Sequence, residues 1–244
     1  MSKHLSIMYS GGLDSFIAYH YAIYHGFDPT CIYVNLGHEN NERELESMNQ
    51  SGISVEIINA KEIYPLIQRR LSNQIIPSRN LLFAVIGGMI SDRVWILALD
   101  GEQLGKEHDK SPKFFNLSTD LLTYTNNFFQ EETIVETPFS NMSKSEIIRW
   151  ALNHAGLTGS DLLKTRSCYA DTADPCGVCL TCVKRHMAFY VNGIDDGLHE
   201  LVIGSDYFRE LQEQIPNAET SQNFTRFNKK RISEFNHFLR LSNI

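Results

Sequence analysis

The chain has 244 residues, 42% hydrophobic and 21% charged, with a formal net charge of −7. That length suits one substantial α/β core plus an accessory element, and the net negative charge disfavours functions built on sequence-independent attraction to nucleic acid. No run approaches the roughly 18 apolar residues that cross a bilayer, and the N-terminus lacks the long apolar core of a signal peptide, so a membrane role is excluded and the expected location is the cytoplasm.

His4–Tyr9 reads as a strand, Ser10-Gly11-Gly12 as a loop, Leu13–His25 as a helix and Thr30–Asn35 as a second strand, a βαβ beginning. Glu39–Ser51 is a polar helix and Val55–Ile58 a short strand; helices are predicted over Ile63–Leu71 and Leu81–Ser91. Val94–Leu99 is a nearly continuous apolar run, as expected of a central strand covered on both faces. The stretch Gly101–Lys113 is polar and irregular, in the position where loops line the ligand crevice of open parallel sheets. Leu117–Phe129 reads as a helix and Thr133–Thr137 as a strand. Ser143–Ala155 reads as a helix with a capping box at Ser143 and Glu146 and a C-cap at Gly156. Asp206–Ile244 is expected to form two helices split around Pro216. The predicted fold class is α/β, a doubly wound parallel sheet with a zinc-binding segment of four cysteines and a helical C-terminal tail.

Ser10, Gly11, Gly12, Leu13, Asp14 and Ser15 lie between a predicted strand and a predicted helix. There, backbone N–H groups and the positive end of the helix hold an anion, and the glycines allow close approach of phosphate oxygens. The Gly-Lys-Ser/Thr ending of the Walker loop and the three-glycine dinucleotide fingerprint are both absent. A tight turn that happens to contain two glycines is the plain alternative.

Four of the five cysteines, Cys168, Cys176, Cys179 and Cys182, fall in the spacing Cys-x7-Cys-x2-Cys-x2-Cys. Four soft ligands suit a tetrahedral zinc, with an iron–sulfur cluster as the minor alternative, and a full set of thiolates leaves no open position, so the zinc is expected to be structural. Cys31 falls in a predicted buried strand and reads as a small hydrophobe. The nine histidines are scattered without metal-site spacing. The tail carries Lys229-Lys-Arg231 with Phe224, Phe227, Phe235 and Phe238, and is read as an amphipathic element packing on the core or on a second subunit of a homodimer.

The hexapeptide Ser10-Gly-Gly-Leu-Asp-Ser15 resembles the N-type ATP pyrophosphatase (PP-loop) superfamily, whose sheet is of the adenine nucleotide alpha-hydrolase-like kind. Thr165-Arg-Ser-Cys-Tyr169, Cys176-Gly-Val-Cys-Leu-Thr-Cys182, Arg185, Ile76-Pro-Ser-Arg-Asn80 and Ser143-Lys-Ser-Glu146 narrow the resemblance to the 7-cyano-7-deazaguanine synthase family of the queuosine pathway. The resemblance implies ATP with Mg²⁺, the loop on the β,γ-phosphates, Asp14 at magnesium or shaping the loop, Asn80 in ATP binding, and Arg79 and Lys144 on the charge developing at the α-phosphate. It implies a 7-deazaguanine carboxylate that is adenylated and passed to ammonia or another amine, giving an amide or a nitrile. The implied segments are 1–165 for ATP binding, 166–190 for zinc and 191–244 for a helical extension.

The chain departs from the family after its central strand, where the usual Tyr-Pro-Asp-Cys-Arg segment is missing. Glu102, Asp109 and Phe115, with Ser111 and Pro112, are the candidates for a compressed substrate loop, Arg185 is a further candidate, and a solvated loop is the competing reading. The rival functions are a tRNA-thiolating enzyme of the same superfamily, and a zinc-knuckle protein that binds nucleic acid and carries a vestigial ATP loop.

Overall fold

The computed structural model describes residues 3–38, 41–68, 76–100, 102, 108–127, 132–168, 170, 172, 174–221 and 227–244. Of the sequence-predicted features, Glu39, residues 69–71, Gly101, residues 103–107, residues 128–129, Tyr169 and Phe224 lie outside the described residues. The chain forms two compact units, one of residues 1–98 and 108–138, the other of 99–107 and 139–244. No described helix is long and apolar enough to cross a membrane.

The first unit holds a five-stranded parallel sheet in the order β3-β2-β1-β4-β5. Its elements are β1 (His4–Met8), α1 (Leu13–Tyr24), β2 (Asp28–Asn35), α2 (Asn41–Ser51), β3 (Val55–Asn59), α3 (Ile63–Ile67), α4 (Arg79–Gly88), β4 (Arg93–Trp95), α5 (Pro112–Thr125) and β5 (Ile134–Glu136). Register is fixed by pairs such as Ile7 with Cys31, Ser6 with Val94 and Val94 with Val135. Period-two alternation sends successive side chains to opposite faces. Met8, Ile32, Val34, Val94 and Val135 pack in one cluster with Ala84 of α4 and Leu122 of α5. Trp95 is 6.1 Å, ring to ring, from Tyr21 of α1. The sheet is thus covered on both faces, as the alternating strand and helix pattern requires.

Local chemistry sets most helix starts. Ser111 Oγ accepts the Phe114 N–H at 3.2 Å with Pro112 in the first turn, so α5 begins five residues before the predicted Leu117. The expected β4 is shortened to three residues, because beyond Ile96 a side chain takes over the ladder: Thr137 Oγ1 accepts the Ala98 N–H at 3.1 Å and donates to the Ala98 carbonyl at 2.8 Å.

The second unit contains α6 (Lys144–His154), α7 (Gly159–Leu163), α8 (Leu180–Tyr190), α9 (His199–Ile203), α10 (Asp206–Thr220) and α11 (Lys229–Ser242). The predicted capping box is present: Ser143 N–H donates to Glu146 Oε2 at 2.7 Å, and Ser143 Oγ accepts from Glu146 N–H at 3.3 Å. Pro216 does not split the tail as expected; it lies inside α10, which runs to Thr220. Phe208, Leu211 and Ile215 on this helix are buried against α8 and α11. Burying three such side chains stabilises by about 1.5–3 kcal/mol each, which outweighs the roughly 3 kcal/mol that an interior proline costs.

Candidate functional site

In the first unit, the loop after β1 leaves the carboxyl end of the central strand, where the strand order reverses between β1 and β4. Open α/β sheets bind ligands at that point. Gly11 has φ 71°, and a Cβ there would stand 3.0 Å from the Glu44 carbonyl oxygen and 3.1 Å from Met48 N, so only glycine fits between β1 and α2. Ser47 Oγ donates to the Gly11 carbonyl at 2.7 Å and holds the loop from behind. Gly12 is the N-cap of α1 and supplies no side-chain cap, so the first N–H groups of the helix face outward. Ser15 Oγ donates to the Gly12 carbonyl at 2.9 Å and accepts from Ser10 N–H at 3.4 Å. Ser10 is exposed, Asp14 half-buried and Leu13 buried in the core. The loop thus ends in an uncapped helix N-terminus with one carboxylate in its first turn, an arrangement that can hold an anion.

Arg79 and Asn80 open α4 after Ser78, which holds φ 56° in the left-handed region. Asn80 is buried, and its Nδ2 donates to the Asp109 carbonyl at 3.2 Å, bringing two predicted site residues together. Asp109 lies in a 3-10 turn, His108–Lys110. Phe115 is only 7% exposed and packs in the apolar cluster beneath the sheet, so the structure gives it a core position rather than an open ring face. Ser111 and Pro112 are occupied in starting α5.

Sequence reading passed over the α2 residues beside the loop. Tyr33 Oη donates to Glu44 Oε2 at 2.7 Å and Asn41 Oδ1 at 2.9 Å. Burial raises the Glu44 carboxyl above its usual range, against the opposing effects of the Tyr33 hydrogen bond and the Arg79 charge. Their only sequence signal was position, at or just beyond the carboxyl end of β2. Cys31 is 2% exposed, and burial pushes its thiol up to about 12.

In the second unit, Lys144 is half-buried in the first turn of α6. Glu102 Oε2 accepts the Leu99 N–H at 3.3 Å. The sulfurs of Cys168, Cys176, Cys179 and Cys182 all lie within 4.8 Å of one another, with Cys176 and Cys182 at 3.9 Å. Thiolates around a tetrahedral ion at about 2.3 Å are about 3.8 Å apart, so the set fits one metal ion with slight contraction. Backbone N–H groups of Ala170 and Cys176 both donate to Cys168 Sγ at 3.4 Å, the outer partners such ligands need. Hydrogen bonds from Cys182 and from the Thr181 hydroxyl hold the Cys179 thiol down to about 4. Gly177, at φ 74°, turns the chain between two of the ligands, and a Cβ there would meet Leu201 Cβ at 2.7 Å.

Arg185 is buried beside this cluster. It donates to Thr165 Oγ1 at 2.9 Å and to the Leu162 carbonyl at 3.1 Å, and lies 4.6 Å from the Phe189 ring centroid. It therefore ties α8 to the end of α7. A hydrogen-bonded chain that histidine spacing did not reveal runs from Asp196 to His186 Nδ1 at 2.6 Å and from His186 Nε2 to His199 at 3.1 Å.

A parallel sheet wound on both faces, a glycine-lined helix N-terminus at its switch point and a four-cysteine cluster together define an α/β protein of the PP-loop kind. Within that class the chain belongs to the family described as Queuosine biosynthesis protein QueC, which its residues 53–193 match. The match spans Arg79, Asn80, Lys144 and the four clustered cysteines, and ends before α9. The chain is similar to 7-cyano-7-deazaguanine synthase 2 of Colwellia psychrerythraea, 28% identical over 220 residues, covering 80% of this chain and 97% of the relative. It is similar to 7-cyano-7-deazaguanine synthase of Psychromonas ingrahamii, 29% identical over 222 residues with the same coverage of 80% and 97%. A third relative, 7-cyano-7-deazaguanine synthase 2 of Sulfurisphaera tokodaii, is 25% identical over 221 residues, covering 80% of this chain and 47% of the relative.

Proposed function

We propose that the chain is an ATP-dependent carbon–nitrogen ligase that adenylates the carboxylate of 7-carboxy-7-deazaguanine or a related base acid. The observation that carries this reading is the loop after β1, with Gly11 wedged against α2 and the first turn of α1 left without a side-chain cap. The family and the synthases it resembles supply the substrate class.

In this reading Ser10–Ser15 receive the β,γ-phosphates on backbone N–H groups and Asp14 stands at the Mg²⁺ that accompanies ATP. The substrate carboxylate oxygen attacks the α-phosphorus, the bond to the bridging oxygen breaks, and pyrophosphate leaves. Arg79 and Lys144 offset the charge on the α-phosphate and Asn80 orients the nucleotide. Ammonia or another amine then attacks the acyl carbon, loses a proton and displaces AMP, leaving an amide. A nitrile requires a second ATP: the amide oxygen attacks phosphorus, pyrophosphate leaves, the nitrogen gives up two protons and the C–O bond to AMP breaks. Asp109 and Glu102 are assigned to the N–H edge of the base; Phe115 and Arg185 serve it by supporting the walls.

The four cysteines hold zinc, which supplies folding stability to segment 166–190 and no reactive position. Residues 1–165 carry ATP binding in this assignment and 191–244 form the helical extension. A thiolating activity is disfavoured, because Cys31, the one cysteine outside the cluster, is buried with a raised thiol.

The test is incubation of the metal-loaded protein with α-labelled ATP, magnesium, ammonium and 7-carboxy-7-deazaguanine. Base-dependent AMP, with a base mass of amide or nitrile, supports the proposal, and Asp14→Ala is expected to abolish it. ADP in place of AMP, or no turnover, overturns it.

A further inference from the structure

Ser47 is a buried serine in the interior of α2, where helix propensity favours alanine and an enclosed hydroxyl needs a partner. A partner lies 36 residues away: Ser47 Oγ donates to the Gly11 carbonyl at 2.7 Å. The helix that carries this hydroxyl is itself tied to β2. Tyr33 Oη donates to Glu44 and Asn41, and Asn41 Nδ2 donates to the Asn35 side chain. Met48, the next residue, is buried, and a Cβ on Gly11 would stand 3.1 Å from its Cγ. The hydroxyl is therefore held at a fixed place behind the glycine loop.

Such a bond has a particular consequence between two glycines. Neither Gly11 nor Gly12 has a Cβ, so the peptide that joins them turns over at little steric cost unless something outside the loop holds it. That peptide is trans and planar, with carbonyl and N–H antiparallel, so the direction of the Gly11 carbonyl sets that of the Gly12 N–H. Ser47 draws the carbonyl toward α2, and the Gly12 N–H points the opposite way, to the side of the loop away from that helix. The next peptide is fixed as well. The Gly12 carbonyl accepts from Ser15 Oγ at 2.9 Å and from the Phe16 N–H at 3.0 Å, so the Leu13 N–H faces out of the helix end. Two hydroxyls from two helices thus orient two successive backbone donors, and only Ser15 belongs to the loop sequence.

We propose that Ser47 is a positioning residue for the pyrophosphate end of ATP: through the Gly11 carbonyl it aims the Gly12 N–H at a phosphate oxygen, without touching the nucleotide itself. The proposal rests on the nucleotide role assigned to the loop after β1. Without the hydroxyl, the Gly11–Gly12 peptide is no longer preorganised, and binding has to order it, which lowers affinity for the polyphosphate and leaves the carboxylate substrate unaffected.

The experiment titrates the full-length, metal-loaded chain with magnesium pyrophosphate by calorimetry, a probe that binds without turnover, and measures KM for ATP and for 7-carboxy-7-deazaguanine by AMP release. Ser47→Ala is expected to weaken pyrophosphate and to raise KM for ATP about 3- to 10-fold, the scale of one net hydrogen bond, with KM for the carboxylate unchanged. Ser47→Thr keeps the hydroxyl and is expected to recover most of the affinity. If Ser47→Ala does not fold, Ser47→Cys, a weaker donor of similar size, is expected to give an intermediate loss. Ser6→Ala is the matched control, since Ser6 is also buried and its Oγ donates to the Gly87 carbonyl at 3.1 Å, away from the loop. It is expected to lower the unfolding midpoint and leave pyrophosphate affinity unchanged. Ser47→Ala or Ser47→Cys behaving like Ser6→Ala overturns the proposal, as does a folded Ser47→Thr that binds no better than the alanine variant. A parent chain that binds pyrophosphate but makes no AMP with this base overturns the ligase reading and leaves the role of Ser47 standing; a parent that binds no pyrophosphate overturns the role of Ser47.

Discussion

Replacing Ser78 with glycine isolates one backbone conformation next to the candidate nucleotide site. Ser78 sits at φ 56°, ψ 19° and is the N-cap of α4, yet its side chain makes no cap hydrogen bond. A non-glycine residue in the left-handed region costs about 1–2 kcal/mol, and glycine removes that cost. Glycine also raises the entropy of the unfolded chain, which gives back about 0.4–1 kcal/mol. Because no cap bond is lost, the net expectation is a stabilisation of about 0.5–1 kcal/mol, or roughly 1–4 °C for a chain of this length. Urea unfolding should show a higher midpoint with an unchanged slope. Ser78→Ala keeps the strain and loses nothing, so it should be near neutral. A destabilised glycine variant, or an alanine variant that loses the roughly 1 kcal/mol of a missing cap, would refute the reasoning.

Glu44→Gln tests the buried carboxyl behind the loop. Burial raises its folded pKa above the unfolded value, so the folded state binds the proton more tightly and the parent loses stability as pH rises through the folded pKa. The variant is therefore expected to gain on the parent between about pH 4 and neutrality, and parallel urea midpoints across that range would count against it. Thr137→Val leaves the Ala98 N–H and carbonyl without their side-chain partner, so a loss of about 1–3 kcal/mol is expected, read from denaturant unfolding. Chelating the metal, or Cys179→Ser, should release one ion per chain and lower the unfolding midpoint, since segment 166–190 depends on the ion for its fold; a variant that keeps its metal and its midpoint would contradict a four-thiolate site.

Much of the fold and part of the site could be read without coordinates, because their causes are local. The short strand-like run His4–Tyr9 before two glycines marks a strand and its turn, Ser143 with Glu146 marks a helix start, and cysteines two residues apart mark a metal knuckle. Each depends on the geometry of one turn or one pleat, which sequence spacing encodes directly. Tertiary packing decided the rest. Val94–Leu99 carries the composition of a full strand, yet its backbone ladder goes no further than Ile96, because Thr137 captures the Ala98 backbone. Pro216 should end a helix by its own chemistry, but burial of Phe208, Leu211 and Ile215 carries α10 through it. Glu44 and Ser47 back the glycine loop from more than thirty residues away, His186 joins Asp196 and His199, and α6, α8, α10 and α11 meet around one pocket. The sequence by itself determined what each segment prefers and which residues carry ligand chemistry; which side chains share a site was decided only on folding, because those contacts join residues whose separation along the chain has no period to read.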